Sequence, residues 1–139
     1  MAAIGPSEEA GEGDFVIRVA QSLAAFDAAE WNALSGASKG GPEPYNPFLS
    51  HAFLSALEES GCATAQSGWL GQHLRLEGPG GRLIGAVPAY LKSHSQGEYV
   101  FDHGWADAFE RAGGRYYPKL QVSVPFTPAA GPRLLAMRE

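Results

Sequence analysis

The chain has 139 residues, enough for one domain that buries roughly two thirds of its unfolded surface. At 45% hydrophobic and 18% charged it has the composition of a globular, soluble protein, and its longest apolar run, 83–91, is too short to span a bilayer and is broken by Pro88. The net charge of −5 argues against a general nucleic-acid binder, and the single Cys62 excludes an internal disulfide. The opening MAAIGPSEEAGEG lacks the basic and apolar regions of a secretory signal, so a cytoplasmic location is expected. No Cys/His cluster has zinc-ligand spacing, and no metal is expected.

Residues 1–13, rich in Gly, Ala and Glu without periodicity, read as a disordered tail ahead of one domain over 14–139. FVIRV at 15–19 is rich in β-branched residues and predicts a first strand. Asp27, with Glu30 three positions on, predicts a capped helix through Trp31 and Leu34 that ends at Gly36. The following GASKGGPEPYNP is a loop by composition. Ser50 predicts the cap of a second helix, with Phe53, Leu54 and Leu57 inward, Glu58 and Glu59 toward water, and Gly61 as its stop.

The clearest hairpin is HLRLE at 73–77, the turn GPGG and RLIGAV at 82–87, continuing through Tyr90 to Lys92 with Pro88 marking an edge or a bulge. A strand over 97–101, a helix over 105–112 closed by Gly113-Gly114, and a last strand over 120–124 complete the pattern. The order predicts an α/β fold, a mixed and mostly antiparallel sheet flanked by helices.

Charge is distributed unevenly. Residues 1–60 carry nine acids and two bases, 61–110 five acids and three bases, and 111–139 one acid and five bases. The positive end surrounds Tyr116 and Tyr117, with Arg115 and Lys119 beside them, after a Gly pair that lets the chain turn. Such a block either faces an anionic ligand, the tyrosines burying rings while offering hydroxyls, or consists of core tyrosines beside solvated bases. Asp102-His103 either caps the next helix or contributes to a site. Cys62 reads as a small buried filler, and His51, His73 and His94 as structural or solvent-facing. There is no nucleophile elbow, P-loop, zinc-protease helix motif or dinucleotide fingerprint. The chain stops at Arg138-Glu139 just as an apolar segment begins, which raises the expectation of one part of a larger protein.

NPFLS at 46–50 with its helix, GRLIGAVPAYLK at 81–92, YYPKL at 116–120, VPFTP at 124–128 and GPRLL at 131–135 together resemble the FemAB-like predicted N-acyltransferases, bacterial proteins of peptidoglycan biosynthesis or recognition in the GNAT superfamily. The resemblance covers about 14–138, and the C-terminal block is its specific part. It implies a GNAT-like domain, the first, incomplete half of a two-half enzyme that moves an acyl or aminoacyl group to a small-molecule or peptide-like amine acceptor such as a cell-wall precursor. The donor implied is acyl-CoA or aminoacyl-tRNA. The nearest string to the GNAT pyrophosphate loop, Arg82-Leu83-Ile84-Gly85-Ala86-Val87, ends in Val where the pattern has Gly or Ala, and it lies in a strand. The resemblance places His103, Trp105, Tyr116, Tyr117 and Lys119 along an acceptor groove with Arg115 as an anion contact, and assigns no catalytic residue. A non-catalytic module binding an anionic ligand or a cell-wall precursor is the alternative.

Overall fold

The computed structural model describes residues 13–36 and 45–137. The tail expected over 1–13, except Gly13, and most of the loop expected after Gly36 lie outside the described residues. Among the described residues, three α-helices and seven strands follow in the order β1 (Val16–Ala20), α1 (Ala28–Ser35), α2 (His51–Glu59), β2 (Trp69–Gly71), β3 (His73–Glu77), β4 (Leu83–Val87), β5 (Ala89–Lys92), α3 (His103–Arg111), β6 (Lys119–Val122) and β7 (Leu135–Ala136). The α/β class is as the sequence predicts. The strands form two antiparallel sheets, β1-β3-β4-β7 and β2-β5-β6.

The two sheets share one long bent hairpin. Leu70 pairs with Leu91 and Gly71 with Tyr90, then Leu74 with Val87 and Leu76 with Gly85, so the register runs through from one sheet to the other. The ladder is interrupted at Gln72 and Pro88, where the Gln72 amide still donates to the Ala89 carbonyl at 2.8 Å, and again by a shift of register between Leu76 and Glu77, where Glu77 pairs with Leu83. Pro88 has no amide hydrogen and cannot continue the ladder, which is why the strand changes outer neighbour at this point. β7 flanks β4 below it and β6 flanks β5 above it.

Because side chains alternate along a strand, this register sorts residues onto two faces. The inner face carries Trp69, His73, Ala86, Tyr90 and Lys92, all buried, and the helices pack over it. Trp31 and Leu34 of α1 and Leu54 of α2 join Leu23, Phe26, Leu49, Leu83, Ala86 and Leu135 in the main core. The Trp31 indole lies edge-on to Phe26 at 5.0 Å, and its Nε1–H donates to the Leu49 carbonyl at 2.9 Å, so burial of the ring leaves no polar atom unmatched. A second cluster, Ala63, Trp69 and Tyr90 with Leu57 against it, lies under the other end of the hairpin.

Both helix starts follow the sequence prediction. The Asp27 carboxylate accepts the Glu30 amide at 3.0 Å and the Ser50 hydroxyl accepts the Phe53 amide at 3.2 Å, each filling an otherwise open helix donor. Gly36 ends α1 in the left-handed conformation.

Three expectations are corrected, and the open reading of Asp102 is decided. The strand predicted over 97–101 does not form, because Gly97 turns the chain at φ +79° and lies so close to Trp69 and Phe126 that a side chain there would collide with both. Tyr99, Val100 and Phe101 follow it as an exposed bend. Glu58 does not face water: its carboxylate is largely buried and accepts three hydrogen bonds. Cys62 is exposed rather than buried, lying in the turn just past α2. Asp102 precedes α3 but makes no side-chain cap, its carboxylate being engaged elsewhere.

Candidate functional site

β5 and β6 set two lysines side by side on the inner face. Trp69, Lys92 and Lys119 lie directly opposite one another across β2, β5 and β6. Two ammonium groups in register repel, so this row needs nearby anions. Glu98 and Asp102, from the bend before α3, supply them. Lys119 Nζ donates to Glu98 at 2.9 Å and also to the Asp102 carboxylate. The same Asp102 carboxylate accepts the hydroxyls of Tyr116 at 2.7 Å and Tyr117 at 2.8 Å.

Asp102 is therefore the hub, with three donors converging on one carboxylate. Partial burial alone would raise its pKa, but the hydrogen bonds from Lys119, Tyr116 and Tyr117 outweigh that and hold it well below the ordinary carboxylate range. Burial acts against the Lys119 ammonium too, and its bonds to Asp102 and Glu98 prevail, raising it. Tyr116 is raised first by its hydrogen bond to Asp102, and Tyr117 first by burial with the Asp102 bond adding to it. At neutral pH the group consists of a carboxylate, an ammonium and two neutral phenols.

Lys92 lies beneath this group with no exposed surface. Its Nζ sits 3.7 Å from the centre of the Trp69 ring and donates to the Gln96 carbonyl at 2.7 Å. Burial, with Lys119 adding to it and Glu98 and Asp102 opposing, lowers its pKa from 10.5 to about 8. Neither the Trp69 Nε1–H nor the Tyr90 hydroxyl has a hydrogen-bond partner among the described residues. Phe126, at φ +64°, donates its amide to the Gly97 carbonyl and lays its ring 5.4 Å from Trp69.

Of the residues singled out in the sequence, the structure joins Tyr116, Tyr117 and Lys119 in one network and leaves three beside it. Trp105 is 78% exposed on α3, His103 stacks on Phe101 at 5.5 Å, and Arg115 is exposed. Tyr99, Phe101, Trp105 and Phe109 give the segment around α3 an exposed aromatic surface, with Phe109 edge-on to Tyr116. Glu98, Asp102 and Lys92 are the members that motif reading missed or misassigned. Strand phase holds the clue to Lys92, since a lysine two residues from Tyr90 lies on the buried side of the hairpin.

A profile of the FemAB-like family, described as peptidoglycan biosynthesis/recognition, matches residues 22–139. That span includes the whole network and every element except β1. The chain belongs to the FemAB-like family. No curated protein and no solved structure matches it significantly. The FemAB-like assignment ties the chain to peptidoglycan. Among the described residues of this FemAB-like chain there is no group of three or more His, Cys, Asp or Glu placed to hold a metal ion, and no helix is long and apolar enough to cross a membrane.

Proposed function

We propose that this FemAB-like chain is the acceptor-binding part of a GNAT-like N-acyltransferase, which moves an acyl or aminoacyl group onto an amine of a cell-wall precursor. The donor in this reading is acyl-CoA or aminoacyl-tRNA, carried by a second GNAT-like half. The observation that carries the reading is the Asp102 hub beside the exposed aromatic segment, within a chain of a peptidoglycan-related family. Exposed aromatic rings such as Trp105 and the stacked Phe101–His103 pair offer flat faces to a bulky acceptor. Arg115 meets an anionic group on it, by charge-assisted hydrogen bonding. The tyrosine hydroxyls and Lys119, held on Asp102, form the rigid polar edge that orients the acceptor.

Acyl transfer to an amine needs positioning, removal of a proton and stabilisation of an oxyanion, and no covalent enzyme intermediate. This chain's contribution is positioning. Asp102 and Glu98 are both engaged by Lys119, so neither stands ready as a base. That engagement favours a second reading, a non-catalytic module that binds the precursor.

Titration of the chain with a soluble disaccharide–pentapeptide precursor, followed by tryptophan fluorescence, tests both. Saturable binding that weakens at least about tenfold in Trp105→Ala and Arg115→Ala supports an acceptor site, and no binding by the wild-type chain sinks it. Mass spectrometry of the precursor, after incubation with acyl-CoA or aminoacyl-tRNA and the joined two-half protein, separates the readings. An acylated amine marks the enzyme, and binding without any product marks the module.

A further inference from the structure

Apart from Gln72 at its middle, the outer face of the bent hairpin is apolar, and none of its side chains belongs to either hydrophobic cluster. Ile17 and Val19 of β1 lie opposite Leu76 and Leu74, and at the other end of the face Leu70, Leu91 and Leu120 form a row. Ile17 and Val19 are more than half exposed, as is Leu120. An antiparallel sheet with one side in water alternates apolar-in with polar-out. At the β1 and Arg75–Glu77 end the alternation is inverted. Arg18, Arg75 and Glu77 point to the helix-covered side, where they pair with each other, and the uncovered side carries no charge from these strands.

We propose that two copies of this chain pack these outer faces together as a two-fold dimer, the sheets stacked about 10 Å apart. Two features favour a second copy as the occupant. A face without charges has nothing to select an oppositely charged partner, and it is complementary to itself under a two-fold axis. Its size sets the strength of the contact: the run 69–77 is about 30 Å long at the usual strand rise, with four strands, about 19 Å, abreast at the 73–77 end and three, about 14 Å, at the 69–71 end. The face is then roughly 500 Å² per copy and about 1,000 Å² in total, in the range of weak, transient interfaces. An interface this small predicts a reversible dimer in the micromolar range. The Asp102 network lies on the inner side of the sheet, so the dimer does not depend on the functional reading above.

Sedimentation velocity on the full chain, with reductant present because Cys62 is exposed, tests this from about 1 to 200 μM. The expected result is a mass rising from one chain of 14.7 kDa toward two. The double variant Ile17→Lys/Leu120→Lys should stay at one chain throughout, with an unchanged circular dichroism spectrum. Val19→Thr/Leu120→Thr, which keeps strand-forming side chains, tests the same face should the lysine pair fail to fold, and should weaken association at least about tenfold. A wild-type chain of single mass at 200 μM overturns the proposal, even if the face binds a hydrophobic dye or another polypeptide. So does a dimer that persists undiminished in the variants.

Discussion

The inner face of the hairpin holds two buried polar clusters that differ in how well their groups are matched. At the His73 end, Glu58 Oε1 receives the His73 Nε2–H at 2.7 Å, and Oε2 receives the Ser22 hydroxyl and the Leu23 amide, both at 2.9 Å. The Ala89 amide donates to His73 Nδ1, which fixes the imidazole as the neutral Nε2–H tautomer. All four of these donors find acceptors, and only the neighbouring Tyr90 hydroxyl, whose ring lies 5.0 Å from His73, lacks a partner among the described residues. At the Lys92 end, two lysines and two carboxylates crowd together over an indole N–H that has no partner among the described residues. The first cluster is what stability alone selects. The second holds charge in a more costly environment and opens onto exposed aromatic rings, the arrangement found where a surface is kept for a ligand.

The largest expected effect falls on the matched end. Glu58→Ala leaves the buried His73 N–H, the Ser22 hydroxyl and the Leu23 amide without an acceptor, and should cost about 3 kcal/mol, a large share of a domain's stability. Urea unfolding followed by tryptophan fluorescence measures it, and precursor binding should be unchanged in the folded variant. A loss under about 1 kcal/mol would erase the contrast between the clusters. Acid should weaken both ends. Burial raises Glu58, but its bonds from His73, Leu23 and Ser22 lower it overall, as the bonds to Asp102 lower that carboxyl. Both groups therefore stabilise the fold above their ordinary values of 4.5 and 3.8, and that contribution is lost as pH falls below them.

The unmatched end should respond in the opposite sense. Lys92→Met replaces a buried ammonium by an apolar chain of similar length against Trp69, and should stabilise the protein by about 1–3 kcal/mol at pH 7. The pH dependence supplies a second check. With Lys92 lowered to about 8, the folded chain binds fewer protons than the unfolded one above that pH, so wild-type stability rises between pH 8 and 10. Above pH 10 the raised tyrosines reverse the slope, because the folded state then retains protons that the unfolded state has lost. Lys92→Met should flatten the rise between pH 8 and 10. A destabilised variant that keeps the slope would mean that the Lys92 end is as well matched as the His73 end.

Local signals were legible in the sequence and long-range polar pairings were not. Asp27 and Ser50 announced their helices because a cap is a contact over three residues. The 73–87 hairpin showed itself through alternation and a glycine-rich turn. The β2 and β7 strands are too short to show a period, and they exist only because the hairpin offers them a ladder. Over 97–101, alternation suggested a strand, but the left-handed Gly97 and the pull of Lys119 on Glu98 take the segment off the sheet. Glu58 looked solvent-facing because its partners are His73, fifteen residues on, and residues 22–23, on the far side of α1. Tyr116, Tyr117 and Lys119 were visible as a block, and the Asp102 that organises them was visible only as a helix cap or a site residue, with nothing local to tie it to a block fourteen residues on.

The smallest effect on stability is also the sharpest test of what the Lys92 end is for. Arg115 is exposed on the segment between α3 and β6, and no described contact holds it to the fold. Arg115→Ala should therefore change unfolding free energy by less than about 0.5 kcal/mol, the usual range for such a surface position. If the aromatic-basic surface faces an anionic acceptor, the same substitution removes a charge-assisted contact and weakens precursor binding by about tenfold or more, with a smaller loss at high salt where screening has already reduced the attraction. Arg115→Lys should restore part of the affinity, since the charge returns without the planar fork of donors. A folded Arg115→Ala chain that binds the precursor like wild type at low salt would reduce Arg115 to ordinary solvation, and leave contact to the exposed rings around Trp105 and the Tyr116–Tyr117–Lys119 edge.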